Sequence, residues 1–254
     1  MRFPALFTSF VILAFVAGCS SKPQSSSNPA AGGGKHVDAA TAGTVTGRVT
    51  FEGTPPAPEP LKMSSDPACA AGSGPNPQND AVLIHDGGVQ NVFVYVKDGL
   101  DPAYSFDVPS TPVELDQRGC RYSPRVFGVR VGQPISVLNG DDTLHNVHSL
   151  PKNNREFNNS MSMKGERRSY TFDKPEVMVR FKCDVHSWMA AYAGVMATPF
   201  FAVTKPDGSF EIAGLPPGTY TIEAWHERFG TRTQQVTIGD HQTQTVSFTL
   251  SDKS

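Results

Sequence analysis

Residues Val177–Met189 read VMVRFKCDVHSWM, a run that changes character halfway along. In its first part Val177, Val179, Phe181 and Cys183 alternate with Met178, Arg180 and Lys182, the period-2 signature of a strand with one buried face. The inward row ends on a thiol. A loop follows, offering His186 and Met189. Far upstream, Leu138–His148 reads LNGDDTLHNVH and places a second histidine, His145, just beyond another apolar strand, Ile135–Leu138. Two imidazoles, one thiolate and a thioether form a donor set suited to a redox-active copper ion.

The rest of the chain has to supply a scaffold for those loops. Its 254 residues are enough for one or two domains with buried cores. Lys+Arg 22 against Asp+Glu 24 gives a net charge of −2, and with no basic run a nucleic-acid partner is not expected. Pro (21) and Gly (23) are abundant, and no long segment carries a 3.6-residue apolar period. The expected fold class is therefore all-β, with many turns.

The first residues, MRFPALFTSFVILAFVAGCS, carry Arg2, an apolar core around Phe7–Phe15, and small residues before Cys19. The apolar run is short for a transmembrane helix. Val16-Ala17-Gly18-Cys19 resembles the lipobox of bacterial lipoproteins, which implies a signal peptide over residues 1–18 and a lipid on Cys19. An ordinary cleaved signal with a leftover cysteine is the alternative. Ser20, rather than Asp, after the Cys points to the outer membrane facing the periplasm if the host is Gram-negative. Residues 19–42 are Ser/Gly/Pro/Ala-rich, the makeup of a flexible tether, and His36 within it reads as a solvated side chain.

Strands are expected at Thr44–Phe51, Ala81–Ile84 and Val89–Lys97, the last with both faces apolar. A long loop over residues 63–80 carries Cys69. From Pro112 the chain reads strand, turn, strand, a Gly132-Gln133-Pro134 turn, strand and ligand loop, then Tyr170–Phe172, the opening stretch, and Tyr192–Met196. Short strands at this spacing suggest a sandwich or barrel.

The segment from Val113 to Met196 resembles a cupredoxin of the amicyanin/plastocyanin-like kind. The resemblance rests on Cys120-x-Tyr122-x-Pro124, on Asn139-x-Asp141 leading to His145-Asn146, and on Cys183-x2-His186-x2-Met189. It implies a Greek-key β-sandwich holding one type 1 copper ion, with His145, Cys183 and His186 as equatorial ligands and Met189 as the weak axial ligand. Compared with amicyanin, two extra residues separate Met189 from the next strand, so Met196 is a rival axial ligand; His148 is placed beside the site or on the surface. Asn146 is expected to present its backbone N–H to the thiolate, and Asn139 to brace the two ligand loops. Trp188, Ala190 and Ala191 would collar an exposed His186 edge where a redox protein docks, although Trp188 could equally pack between modules.

From Phe200 onward the strands broken by Pro206-Asp207-Gly208 and Gly214-Leu215-Pro216-Pro217-Gly218 resemble a carboxypeptidase regulatory-like (prealbumin-like) β-sandwich. Its usual opening strand finds its best match at Gly43–Val49. The expected organisation is a split sandwich, 43–110 plus 198–254, with the cupredoxin inserted at 111–197; tandem order is the alternative. Of the four cysteines, Cys19 is assigned to lipid, and a Cys69–Cys120 disulfide would leave Cys183 free, although Cys183 pairing with one of the others stays open. His85, His226 and His241 show no ligand spacing. No Gly-rich phosphate loop, Gly-x-Ser-x-Gly nucleophile or His-x-His pair is present. The functional expectation is a membrane-anchored, copper-dependent carrier of single electrons, not an enzyme, with a redox donor or acceptor protein in the cell envelope as partner. Two alternatives accompany it: an envelope binding or scaffold lipoprotein with a structural metal or none, and copper delivery or storage.

Overall fold

Alternation at Val45, Gly47 and Val49 builds a strand that serves as the hub of one of two sandwiches. The computed structural model describes Met1, residues 34–64 and residues 66–252. The expected signal peptide and the lipid site Cys19 lie outside the described residues. Within the described residues no helix is long and apolar enough to cross a membrane.

Among the described residues four strands precede the central segment: β1 (Gly43–Phe51), β2 (Ile84–His85), β3 (Gly88–Val89) and β4 (Phe93–Asp98). A six-residue helix, α1 (Pro67–Gly72), sits in the long loop after β1. Nine strands follow: β5 (Val113–Gln117), β6 (Tyr122–Ser123), β7 (Val126–Arg130), β8 (Ile135–Asn139), β9 (His145–Leu150), β10 (Asn158–Met161), β11 (Arg167–Tyr170), β12 (Glu176–Lys182) and β13 (Ala190–Met196). The last five are β14 (Phe201–Val203), β15 (Ser209–Leu215), β16 (Gly218–His226), β17 (Gly230–Ile238) and β18 (Thr243–Leu250). The protein is thus nearly all β.

β1 lies between antiparallel β15 and parallel β18, in a sheet completed by β3 and β2. A second sheet, β14-β4-β16-β17, shares with it a core that includes Val45, Val49, Val94, Ile212, Ile222 and Phe248. The central segment forms its own pair of sheets, β10-β9-β12-β13-β7 and β11-β8-β5-β6, around Leu115, Val137, Val147, Phe181 and Val195.

The doubly apolar β4 has a use for each face. Val94 and Val96 enter the first core, while Phe93 and Tyr95 turn the other way and meet Val126 and Met196 in a smaller cluster. Gly194 permits that approach, since a Cβ there would lie 2.2 Å from the Phe93 ring. Met196 is thereby committed to the seam between the sandwiches and leaves the ligand set. Arg125 closes the same seam with charge: it is buried, donates to Glu227 through Nε (2.5 Å) and Nη2 (2.8 Å), and pairs with Asp80.

The alternation read over Val177–Cys183 holds only from Val179. A bulge falls between Glu176 and Val179, so that Val177 is exposed and Glu176 buried. The cause is polar. The Glu176 carboxylate accepts backbone N–H bonds from Lys152 (2.6 Å) and Asn153 (2.9 Å) and another from Asn154 Nδ2 (3.1 Å), fastening the turn after β9. Those bonds outweigh burial and hold its carboxyl below the usual range.

His226 ends β16 inside the core. Its Nδ1 accepts the backbone N–H of Arg228 (3.2 Å) and Phe229 (3.3 Å), and its buried Nε2 has no partner among the described residues. Burial, helped by the charges of Arg125 and Arg228, pushes its pKa down to about 4. The unfolded chain takes up this proton near pH 6.5, whereas the folded chain resists until about 4. Stability present above pH 6.5 is therefore lost as pH falls through that window, by about 3 kcal/mol in all. His226→Asn keeps an acceptor near Nδ1 and removes the titration. Its denaturation midpoint is expected to fall less steeply between pH 6.5 and 4 than that of the parent. Equal slopes would assign the loss to other groups.

Candidate metal centre

Two loops meet at one end of the central sandwich: residues 140–144, which deliver His145 at the start of β9, and residues 183–189, which follow β12. His145, Cys183, His186 and Met189 are all buried. His145 Nδ1 lies 3.1 Å from His186 Nδ1, and Cys183 Sγ lies 3.9 Å from His186 Nδ1. The donor atoms of His145, Cys183 and His186 fall within 4.8 Å of one another. With metal–ligand bonds of ~2.0–2.3 Å, donors sharing one ion sit roughly 3–4 Å apart, so the set fits a single transition-metal ion.

What aims the imidazoles is a pair of carboxylates. His145 Nε2 meets Asp141 Oδ2 at 2.9 Å, and His186 Nε2 meets Asp66 Oδ2 at 3.0 Å. Ionised carboxylates only accept, so each Nε2 carries the hydrogen and each Nδ1 presents a lone pair. Two lone pairs converging at 3.1 Å repel unless a cation stands between them. The chemistry of the pocket is therefore that of a cation receptor.

Both carboxylates are themselves fixed. Asp66 is the N-cap of α1 and accepts N–H bonds from Ala68 (2.9 Å) and Cys69 (3.3 Å). The His186 hydrogen bond, aided by those amides, lowers its pKa against the effect of burial. Asp141 is penalised by burial, but the N–H of Cys120, His145 and the N–H of Gly119 together hold its pKa down. Burial lowers the pKa of His145, with Asp141 opposing, so the neutral, ligating form is favoured.

A disulfide joins Cys69 to Cys120, and Cys183 is free. The bond pins the loop containing α1 over the site: Cys69 Sγ lies 3.4 Å from His186 Nε2. Trp188 adds to this cover, its Nε1 donating to the Cys120 carbonyl at 3.0 Å and its ring centroid 5.2 Å from that of His186. The His186 edge, expected to be exposed, is thus 2% exposed. The proposed apolar collar is likewise inside: Ala190 and Ala191 are buried in β13 and Trp188 is half-buried. The exposed apolar side chains here are Leu144 and Val185, each the residue immediately before a histidine, 43% and 48% exposed.

Asn146 departs from its expected role. The amide reaching Cys183 Sγ is that of His186 (3.4 Å), while Asn146 Oδ1 accepts the Asp184 N–H (3.1 Å) and its Nδ2 donates to Asn158 Oδ1 (2.5 Å). It steadies the cysteine loop one residue past the thiol. Asn139 braces one ligand loop rather than both: its Nδ2 donates to the carbonyls of Thr143 (3.0 Å) and Met161 (2.9 Å), and its Oδ1 accepts the Asp141 N–H (3.0 Å). His148 stands apart, held between Asp184 (2.9 Å) and Glu156 (2.8 Å). Met189 packs in the same core as Cys183, and its N–H closes a turn onto the His186 carbonyl at 3.0 Å. Asp66 was not among the residues that sequence reasoning brought to the site. Its only local signal is Asp66-Pro67, an N-cap followed by proline at the first helical position.

A carboxypeptidase regulatory-like domain model matches residues 190–251, about a quarter of the chain. No curated protein matches. Solved structures with similarity include a Cu-containing nitrite reductase from Thermus scotoductus SA-01, at 24% identity over 38% of this chain and 27% of that one, with a TM-score of 0.32. A purple cupredoxin from Nitrosopumilus maritimus is 21% identical over 33% of this chain and 99% of its own, with a TM-score of 0.30. A copper(I) amicyanin variant is 20% identical over 41% of this chain and 98% of its own, with a TM-score of 0.31. The chain spans about a quarter of the nitrite reductase.

Proposed function

We propose that the central sandwich holds one copper ion and that the protein carries single electrons in the cell envelope, anchored by lipid at Cys19. The observation that carries this reading is the convergence of two carboxylate-oriented Nδ1 atoms and a free thiol. His145, Cys183 and His186 would be the equatorial ligands, and Met189 the weak axial one. When bound, copper supplies a Cu(II)/Cu(I) couple that takes and gives one electron. The chain's own contribution is constancy. Asp66 and Asp141 fix both imidazole orientations, Asn139 fixes the loop before His145, and the disulfide fixes the cover, so neither oxidation state requires the ligands to move.

Loading the purified chain with Cu(II) is expected to give an intense visible thiolate-to-copper absorption that Cys183→Ser abolishes. No such band in the parent, or its survival in Cys183→Ser, would refute the site. Burial of His186 beneath the α1 loop favours a retained ion over delivery or storage. A Cu(I) chelator is accordingly expected to strip the reduced protein slowly; immediate loss would favour trafficking. The donor or acceptor would be a redox protein meeting the end of the sandwich marked by Leu144 and Val185. Catalysis on a bound substrate forms no part of the proposal.

A further inference from the structure

Two arginines of the β7 region leave similarly little surface to solvent, and the contrast between them is informative. Arg125, 7% exposed, is clamped by Asp80 and Glu227. Arg130, 6% exposed, forms no ion pair with any described residue. A guanidinium offers five N–H groups. Nη2 of Arg130 donates to the Ala197 carbonyl at 2.8 Å; the bonds to the carbonyls of Phe106 and Asp107 are long, both 3.4 Å. Its buried Nε has no acceptor among the described residues. A cation removed from water with neither counter-charge nor full hydrogen bonding is unfavourable, and an anion would relieve both deficits.

Space for one lies alongside. Arg130 borders a cavity of about 640 Å³ where the two sandwiches meet, within the roughly 300–1,000 Å³ usual for small-molecule sites and in a location they favour. Its walls are mainly apolar, with Phe106, Phe200, Phe201 and Val113 prominent beside the polar Ser105 and Gln133. Among the described residues Arg130 is the one lysine or arginine lining it, with the exposed His36 also on the lining, which suits a monoanion. The carboxylate-bearing residue of the lining, Asp107, is exposed and sits at the rim. We propose that this cavity binds a small amphipathic carboxylate, its anionic group on Arg130 and its apolar body against Phe106, Phe200 and Phe201. The planar fork of the guanidinium matches a carboxylate.

The probe is 2-naphthoate, with the neutral 2-naphthamide as its near-isostere, titrated into the full chain by calorimetry and amide NMR. Saturable binding of naphthoate is expected, with shifts in β7 and around Phe106, and about tenfold weaker binding of the amide, the charge-assisted bond being lost. Arg130→Gln is expected to erase that preference. Because Arg130 also holds three carbonyls, Ala213→Trp gives a second arm: Ala213 is exposed at the cavity wall and accepts none of the Arg130 bonds, and an indole there is expected to occupy the space. Loss of naphthoate binding in Ala213→Trp supports the site. Equal binding of acid and amide, no saturable binding of either, or unchanged binding in Ala213→Trp overturns it. Added copper is expected to change none of these results.

Discussion

Replacing Cys69 and Cys120 together by serine is expected to cost about 4 kcal/mol of stability. The bond closes a separation of 51 residues, and loop-closure entropy of that length gives this value. A denaturant midpoint that moves while the slope stays constant would measure it; a loss below about 1 kcal/mol would mean that other contacts already hold the loop. The same variant has a second effect with a different readout. The α1 loop carries Asp66, so releasing it frees His186 from its carboxylate and from its cover. Copper loaded into the double variant, on the proposed function, is expected to exchange with a chelator faster than in the parent, at temperatures where both are folded. Equal exchange rates would mean that the cover does not restrict access.

Arg125→Met is the other change with a large expected effect, about 3–5 kcal/mol, because it strands the largely buried Glu227 carboxylate at the seam and leaves Asp80 with Arg121 alone. Converting the Glu227 carboxylate to an amide as well, in Arg125→Met with Glu227→Gln, is expected to recover part of the loss. Calorimetry provides the check. Arg125 precedes β7 in one sandwich, while Glu227 follows β16 in the other, so the single variant is expected to separate one melting transition into two. A single transition at the parent temperature would show that the apolar seam around Phe93 holds the sandwiches together without this clamp.

Period-2 alternation was enough to recognise β1, which buries one side-chain row, but not β9, whose first residues were read as ligand loop. It was enough for β4 as well, whose two apolar faces turn out to serve two separate clusters. It failed at Val177, where the hydrogen-bonding needs of the 152–154 backbone bury Glu176 and slip the register. That competition involves residues some 20 positions apart and leaves no mark on the local pattern. The donors His145, Cys183 and His186 were legible because their chemistry is carried by residue type. Their environment was not. Asp66 meets His186 across 120 positions, and nothing in a stretch of Ser, Asp and Pro announces a partner so distant. The burial of His186 follows from the same fact, because the covering loop comes from a segment that precedes the central sandwich.

The order of strands along the chain also sets an order of assembly. Residues 113–196 contain every pairing partner of β5 to β13, so that sandwich can be completed as soon as β13 is available. β1 has to wait: Thr46 meets Thr245 199 positions later, in the last strand. Until β18 leaves the ribosome, one flank of β1 stays open for adventitious pairing, and contacts this distant are slow to form. β18 is thus the latch for β1, and the central sandwich has the chance to finish folding before the sheets flanking it in sequence can close.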